Sequence, residues 1–230
     1  MSTEDQQESE YYREQAFISR LVSHISTMVR TRIFESLMQE LKLEPTTRVL
    51  DVGVTCDKRS DSNFFEIHYP FPNSLTAVGL EDASFLESEL GIKFVQADAL
   101  ALPFADKSFD LAVSWAVIEH IGSRERQKRF IDELARVADK VFVTTPNRWY
   151  PIEFHTVMPL IHWLPANQFR SILRALGKNF YASEETLNLL SQKDLEQLFP
   201  NEWQLKMLNQ KLFGFTSNLV VYATRPQTRV

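Results

Sequence analysis

Acidic residues follow short apolar runs at several places in the chain, where they can accept hydrogen bonds from a bound molecule. Asp51 lies in the segment RVLDVG, Glu81 and Asp82 follow the run Thr76–Leu80, and Asp98 follows Ile92–Gln96. A carboxylate offers paired acceptor oxygens, which suit a diol. If these runs are parallel strands, their carboxyl ends meet at one edge of a sheet, so the sequence predicts a ligand site at that edge.

Histidines supply the second kind of chemistry in this sequence. His120 comes soon after the apolar run Leu111–Trp115, and an imidazole, which titrates near neutral pH, suits a general base. The sequence is equally compatible with a His120 that begins a helix and packs under a loop. His155 and His162 are seven residues apart with Pro159 between them, which argues against a shared helical face. Because no third ligand can be named for these two, no metal site is predicted.

Strand-like and helix-like runs alternate along the chain. Strands are predicted at Arg48–Val52, Thr76–Leu80, Ile92–Gln96, Leu111–Trp115 and Lys140–Thr144. Helices are predicted at Phe64–His68 with Ser62 or Asn63 as cap, Ala83–Leu90 ended by Gly91, Ser123–Val137, Ala166–Leu176 and Ser191–Leu198. The last apolar runs flank Phe213-Gly214 and predict two paired strands. This order predicts an α/β fold, with a mostly parallel sheet between layers of helices.

Four segments carry a resemblance to a known family. They read VLDVG, AVGLE, VQADAL with LPF, and SFDLAVSWAVIEHI, and they span roughly the middle half of the chain in that order. Their order and spacing resemble the class I S-adenosylmethionine-dependent methyltransferases, and the small-molecule type 11 group most closely. The resemblance implies a doubly wound, mostly parallel sheet with a terminal antiparallel strand. It also implies S-adenosyl-L-methionine as cofactor.

The resemblance further implies which residues hold that cofactor. Glu81 would accept hydrogen bonds from both ribose hydroxyls, and Asp98 would accept from the adenine amino group. The residues assigned to cofactor binding on this basis are Asp51, Gly53, Thr55, Glu81, Asp98, Ala99 and Ser114. Two alternatives stay open, because Glu81 also suits a solvated acid at a helix start and Asp98 suits an ordinary turn residue.

The loop after the first strand departs from the family pattern. Members of the family continue as D-x-G-x-G-x-G, in which small residues let backbone N–H groups approach the cofactor. Here only Gly53 remains, and the chain continues through Val54, Thr55, Cys56 and Asp57 into a polar stretch that ends at Asn63. We expect Thr55, Asp57 and Asn63 to contact the methionine end of the cofactor in place of the glycines.

The segment Asn147–Leu164 follows the fifth strand, where methyltransferases commonly place acceptor-binding elements. It is dense in aromatic residues and prolines, and it suits a preformed pocket wall for a small, hydrophobic or lipid-linked acceptor. His120, Tyr150 and His155 are therefore the predicted catalytic residues. The alternative is that this segment forms a lid that packs on the sheet.

Composition limits the choice of function. The 230 residues are 44% hydrophobic and 24% charged, which fits one α/β domain with a sizeable core. The formal net charge of −5 disfavours a nucleic-acid partner. The single cysteine, Cys56, excludes an intramolecular disulfide. No run is long enough for a transmembrane segment and no secretory signal is evident, so a cytoplasmic protein is expected.

The predicted organisation is a disordered tail at 1–9 and a single methyltransferase domain at 10–230. Within that domain, 10–44 form a helical arm and 145–190 form a substrate or lid insertion. The predicted function is methyl transfer from S-adenosyl-L-methionine to a small-molecule, lipid-linked or glycan-linked acceptor. The alternative is a non-catalytic scaffold of the same fold, which the altered loop after the first strand favours.

Overall fold

A central mixed sheet organises the computed structural model, which describes residues 24–58 and 62–226. Its strands are β1 (Val49–Val52), β2 (Leu75–Gly79), β3 (Lys93–Gln96), β4 (Leu111–Trp115), β5 (Lys140–Pro146), β8 (Gln204–Met207), β9 (Gln210–Leu212) and β10 (Phe215–Thr224). The strand order is β3-β2-β1-β4-β5-β10-β8, and β9 pairs with β10. Strands β1 to β5 are parallel, whereas β10 runs antiparallel to β5 and β8. The predicted fold class is thereby confirmed.

Helices connect and cover these strands. They are α1, which includes residues 24–41, α2 (Phe64–His68), α3 (Phe85–Leu90), α4 (Arg124–Val137), α5 (Ala166–Ala175) and α6 (Gln192–Glu196). Short 3₁₀ helices lie at Pro72–Ser74, Ile118–His120, Ile161–Trp163 and Asn179–Ala182. Helix α4 begins after Ser123, whose hydroxyl accepts a hydrogen bond from the Arg126 N–H, and α3 ends at Gly91 with φ 72°. Both ends agree with the sequence prediction.

The two faces of the sheet bury different clusters because strand side chains alternate. Leu50 and Val52 of β1 pack on the face covered by α4, whereas Val49 packs on the face covered by α1 and α2. Asp51 lies two residues after Val49, so its side chain is on the same face of the sheet and points toward α1 and α2. The same alternation separates Ser114 from Trp115 at the end of β4.

The first helix lies on the face that carries Asp51. Its residues Val29, Ile33 and Leu37 are buried against the sheet. The described part of the predicted arm is therefore helical, while the predicted tail at 1–9 and the arm up to residue 23 lie outside the described residues. The division into a single domain with an insertion at 145–190 stays a prediction.

Most element bounds differ from the prediction by one or two residues, and two further details of the prediction are wrong. Asn63 precedes α2, but it has φ 51° and its side chain makes no capping bond. The first strand of the predicted terminal hairpin is broken into β8 and β9, because Asn209 turns its side chain back to accept from the Val220 N–H. Sequence reasoning missed this break because the side chains of β8 are mostly exposed and give little apolar signal.

The insertion after β5 contains a small hairpin formed by β6 (Ile152–Glu153) and β7 (Met158–Pro159). Helix α5 follows, and Phe169, Leu173, Ala182 and Leu187 form a separate small core beneath it. Among the residues that the structure describes, no helix is both long and apolar enough to cross a bilayer.

Candidate functional site

A cavity of about 290 Å³ opens at the carboxyl edge of the sheet, beside the ends of β1 and β4. Its walls come from β1 and the following loop, from α2 and from the turn after β4. The lining residues used below are Arg30, Asp51, Gly53, Thr55, Asn63, Phe64, Glu66, Trp115, Ala116 and Val117. Three of the residues assigned to the cofactor, Asp51, Gly53 and Thr55, are thus brought together.

Asp51 and Glu66 place two carboxyl groups against each other in this wall, each in a residue only 4% exposed. Asp51 Oδ1 and Glu66 Oε1 have no hydrogen-bond partner among the described residues. Burial, together with the charge of Glu66 and a hydrogen bond to it, raises the pKa of Asp51 well above its usual value. Asp51 in the folded protein therefore retains its proton at a pH where an isolated aspartate has lost it.

Sequence reasoning missed Glu66. The signal was available, since this residue is the one acid in the otherwise apolar and aromatic helix FFEIH, directly after the loop that follows β1. A buried acid in a short helix beside the sheet edge is costly unless it has a partner. Asp51 is that partner.

Gly53 is held by sterics as well as by hydrogen bonds. Its φ is +115°, and a Cβ atom added there would lie 2.2 Å from Val117 Cγ2. The N–H groups of Gly53 and Val54 both donate to the Val78 carbonyl, at 2.8 and 3.1 Å. These two amides bind the neighbouring strand and do not project into the cavity as free donors.

Hydrogen bonds made by the side-chain amide of Asn63 fix the conformation of the altered loop. Asn63 Oδ1 accepts from the Thr55 N–H at 3.0 Å, and Asn63 Nδ2 donates to the Thr55 carbonyl at 2.9 Å. The Thr55 hydroxyl accepts from the Asp57 N–H at 3.2 Å. Thr55 and Asn63 line the cavity as predicted for the methionine end, whereas Asp57 is not among its lining residues.

Glu81 and Asp98 lie at the ends of β2 and β3 and are exposed. Glu81 Oε2 accepts a hydrogen bond from the thiol of Cys56 at 3.0 Å, so the altered loop contacts the predicted ribose acid. Asp98 Oδ1 accepts from the Leu100 N–H at 2.9 Å, a turn contact that leaves its second oxygen available. Leu80 beside them is 72% exposed, and Ala99 is half-buried.

Ser114 lies away from this cavity. It is fully buried, and its Oγ has no hydrogen-bond partner in the described part of the chain. Ala112, two residues earlier on the same strand, packs in the cluster with α4, so Ser114 points toward that face and Trp115 toward α1. The structure therefore does not bring Ser114 to the other predicted cofactor residues.

A second cavity of about 190 Å³ adjoins the first, and both are lined by Arg30, Trp115 and Ala116. Its polar walls are Glu119, Thr144, His155 and Asn218, while Ile25, Ser26, Val29 and Ile33 of α1 line its remaining side. Ala116, at the junction, adopts a left-handed φ of 57°. That conformation, unusual for alanine, turns the chain from β4 toward Glu119.

His155 and His120 approach each other beside this second cavity, with ring centroids 4.8 Å apart. His155 Nδ1 lies 2.7 Å from Glu153 Oε1. Burial alone would lower the pKa of His155, but the hydrogen bond to Glu153 and the charge of Glu119 raise it. Burial opposes the ionisation of Glu153 in the same way. Its pKa is nevertheless lowered to about 2, because His155 bonds it and attracts its charge and the Thr156 hydroxyl donates to it.

Tyr150 does not line the cavity beside which the two histidines meet. It is 5% exposed, stacks on Phe154 with ring centroids 5.1 Å apart, and lines a third, apolar cavity of about 110 Å³. His162 is buried and bonds the Tyr150 carbonyl through Nε2. The structure thus brings His120 and His155 together and leaves Tyr150 in packed surroundings.

A family model described as a methyltransferase domain matches residues 73–140. This match confirms the resemblance predicted from the four segments. Over 47 residues the chain is 49% identical to a protein of Encephalitozoon cuniculi (strain GB-M1) that carries a provisional methyltransferase name, and 45% identical to probable tRNA methyltransferase 9B of Mus musculus. These alignments span 20% of this chain and only 22% and 10% of the two relatives.

Solved structures show the same architecture. The N-methyltransferase NodS of Bradyrhizobium japonicum WM9, in complex with S-adenosyl-L-homocysteine, superposes with a TM-score of 0.55 at 13% identity, covering 86% of this chain and 87% of NodS. Magnesium protoporphyrin IX methyltransferase of Synechocystis PCC 6803 gives 0.55 at 14% identity, covering 89% and 84%. At these identities the likeness establishes the fold.

Proposed function

We propose that this chain, which has the class I methyltransferase fold and a methyltransferase-domain segment, transfers a methyl group from S-adenosyl-L-methionine to an acceptor. The observation that carries this proposal is the carboxyl pair of Asp51 and Glu66 in the wall of the larger cavity. The methionine end of the cofactor bears a sulfonium and an ammonium group. A buried acidic pair attracts such cations, because their charge offsets the repulsion between the two carboxylates.

The remaining predicted contacts fit a cofactor that extends from this cavity along the sheet edge. Glu81 keeps Oε1 for the ribose diol while its other oxygen accepts from Cys56. Asp98 would accept from the adenine amino group, with Ala99 beside it. The side chain of Leu80, which is 72% exposed, would cover one face of the base.

The acceptor is assigned to the second cavity. Because Trp115 and Ala116 line both cavities, a molecule there lies next to the methyl group. Methyl transfer is an in-line displacement from an already activated sulfonium, so holding the acceptor atom in line supplies much of the rate. Glu119 and His155 are the polar side chains that orient it, and the general-base role of His120 stays a prediction.

The acceptor is inferred to be a small molecule with an apolar portion, such as a lipid-linked compound. The third cavity shares Ile25, Ser26 and Phe154 with the acceptor cavity, and its lining is almost entirely apolar. Val157 and Phe213, at its rim, are 50% and 78% exposed. A polar head in the second cavity and an apolar chain over the third would use both surfaces.

A non-catalytic scaffold remains the second candidate, and one observation favours it. The Gly53 and Val54 amides, which the family pattern offers to the cofactor, are bound to the Val78 carbonyl. Such a protein would bind neither S-adenosyl-L-methionine nor its product.

Calorimetric titration with S-adenosyl-L-methionine, in buffers of different ionisation enthalpy, tests the proposal directly. We expect binding coupled to proton release, because the cationic ligand displaces the proton retained by Asp51. Asp51→Asn should bind more weakly and release no proton, whereas the matched variant Asp110→Asn, on the opposite end of the neighbouring strand, should behave as wild type. Absence of binding by the wild-type chain would establish the scaffold alternative. Radiolabelled methyl transfer to lipid extracts then tests the acceptor class.

A further inference from the structure

Three side chains with metal-ligating atoms converge beside the acceptor cavity. They are Glu119 and His120, in the 3₁₀ helix after β4, and His155, in the turn after β6. One ligand atom from each lies within 4.8 Å of the other two, and no other such group of three occurs among the described residues. The residues come from segments 35 positions apart in sequence, which is why the histidine spacing alone did not predict the cluster.

A hydrogen bond from outside the cluster orients each of the three side chains. His155 Nδ1 bonds Glu153 Oε1 at 2.7 Å, and His120 Nδ1 bonds the Thr186 carbonyl at 2.6 Å. Since a carbonyl or an ionised carboxylate can only accept, both Nδ1 atoms carry the proton, and Nε2 is the ring atom with a lone pair in the neutral form. Glu119 Oε2 accepts from the Thr145 hydroxyl at 2.9 Å. Outer bonds of these kinds are what orient metal-binding histidines and carboxylates in proteins.

The partner of His155 is itself fixed. Glu153 is 2% exposed, and its second oxygen accepts from both the N–H and the hydroxyl of Thr156, each at 2.6 Å. This buried carboxylate therefore cannot turn away to another partner. The orientation of the His155 ring is set before any ligand binds.

The other oxygen of Glu119 is buried and is available to bind a cation. Glu119 is fully buried, and its Oε1 has no hydrogen-bond partner within the described residues. An unpaired buried carboxylate oxygen is costly, and proteins rarely retain one without a cation or a donor that meets it. The two neighbouring imidazoles are groups that would meet it through a shared cation.

We propose that Glu119 Oε1, His120 Nε2 and His155 Nε2 bind a divalent transition-metal cation such as Zn²⁺, Mn²⁺ or Co²⁺. Two imidazoles and one carboxylate form a ligand set that suits these ions and leaves coordination positions open. Ligands of a tetrahedral zinc ion lie about 3.4 Å apart, so the 4.8 Å spread of these atoms would shrink by about 1.4 Å on loading. His120 is exposed and can make that movement.

The open coordination positions face the acceptor cavity, because Glu119 and His155 line it. This part of the inference rests on the proposed function. An acceptor hydroxyl bound to the cation loses its proton to solvent more readily, since the positive charge stabilises the alkoxide. Its oxygen then forms a bond to the methyl carbon while the carbon–sulfur bond breaks, and the bonding pair stays on sulfur as a neutral thioether. The inferred acceptor is therefore an alcohol or a phenol.

Cobalt titration of the chelator-treated full chain tests the site without any methyl transfer. We expect one equivalent of Co²⁺ with visible d–d absorption in a Cys56→Ser background, which removes the only thiol. His120→Ala should lower the Co²⁺ affinity at least tenfold, and Glu153→Gln should lower it about 10–100-fold by releasing His155. The control His68→Ala changes an exposed histidine outside the cluster and should leave the affinity unchanged. Thermal melting confirms that each variant is folded.

The experiments distinguish failure of the metal-site proposal from failure of the methyltransferase proposal. No stoichiometric Co²⁺ binding, or equal affinity in His120→Ala and His68→Ala, would overturn the metal site whatever the cofactor does. Loss of metal binding in His120→Ala with unchanged S-adenosyl-L-homocysteine binding supports the site and separates it from the donor cavity. Metal binding without any cofactor binding would uphold the site and refute only the methyltransferase proposal.

Discussion

The carboxyl groups of Asp51 and Glu66 face each other in a single cavity wall, although one belongs to a central strand and the other to a short helix. Both residues are 96% removed from solvent, and the charge of Glu66 adds to burial in raising the pKa of Asp51. Their proximity makes the folded state hold a proton that the unfolded chain releases.

This arrangement predicts an unusual dependence of stability on pH. The folded pKa of Asp51 is raised, so the folded state binds more protons than the unfolded state above pH ~4, and stability falls as pH increases through the raised value. We expect the melting temperature of the apoprotein to fall between pH 5 and pH 8. Asp51→Asn should reduce that fall and stabilise the protein at pH 8.

Asp110 provides a control, because its pKa is shifted in the opposite direction to that of Asp51. Its hydrogen bond to Arg48 lowers its pKa, so the stability it contributes is present above pH ~4 and is lost on acidification. Asp110→Asn should therefore lower the melting temperature at pH 8 and have little effect at pH 3. Equal pH profiles for Asp51→Asn and wild type would contradict the assigned pair.

Gly53→Ala should destabilise the protein strongly. The added Cβ meets Val117 Cγ2 at 2.2 Å in a backbone conformation with φ +115°, so we expect a loss of about 2–4 kcal/mol in the free energy of unfolding. Gly177→Ala has a φ of +73° but nothing within 4 Å, and should cost only about 1–2 kcal/mol. Urea denaturation measures both. A Val117→Ala change in the Gly53→Ala background should recover part of the loss, and no recovery would exclude the steric cause.

Glu81 should contribute far more to cofactor affinity than Cys56, the residue that bonds it. Its thiol donates to Glu81 Oε2, and this bond raises the pKa of Cys56. Cys56→Ala frees the carboxylate and should change the S-adenosyl-L-homocysteine dissociation constant by less than threefold, whereas Glu81→Gln should weaken binding about tenfold. Glu89→Gln, on the exposed surface of α3, is the matched control. A Glu81→Gln variant that binds as tightly as Glu89→Gln would remove the ribose assignment.

Tyr150 can be tested as a catalytic residue with two substitutions. Tyr150→Phe keeps the stack on Phe154, so we expect full stability and near wild-type transfer if the ring acts only in packing. Tyr150→Ala leaves a hole beneath the apolar cavity and should cost about 3–5 kcal/mol. Activity lost in a stable Tyr150→Phe variant would instead support the predicted catalytic role of Tyr150.

The strands and helices around the site follow closely from the sequence. Asp51, Glu81 and Asp98 each come directly at or after an apolar run, and the parallel sheet brings these strand ends to one edge. Strand β4 and helix α2 have the predicted bounds because flanking polar and turn residues end the apolar pattern sharply. Local pattern and topology suffice for these features.

The contacts between side chains from different elements could not be predicted from the sequence. Asp51 meets Glu66 and His120 meets His155 only after non-adjacent elements pack, and no single-sequence periodicity encodes such a pair. Ser114 was assigned to the cofactor because it lies near a strand end. Side chains alternate along β4, however, so Ser114 points toward α4 and away from the cavity. The alternation along β4 would have allowed that distinction from Trp115.

Helix α1 lines the second and third cavities, yet it lies outside residues 73–140, the segment that matches the methyltransferase-domain model. Of the α1 residues, only Arg30 also lines the first cavity with Asp51, whereas Ile25, Ser26 and Val29 line only the acceptor side. Substitutions at Ile25, Ser26 and Val29 can reshape the acceptor wall while the Asp51 end of the sheet stays as it is. Under the proposed function, these three positions allow the choice of acceptor to change independently of cofactor binding.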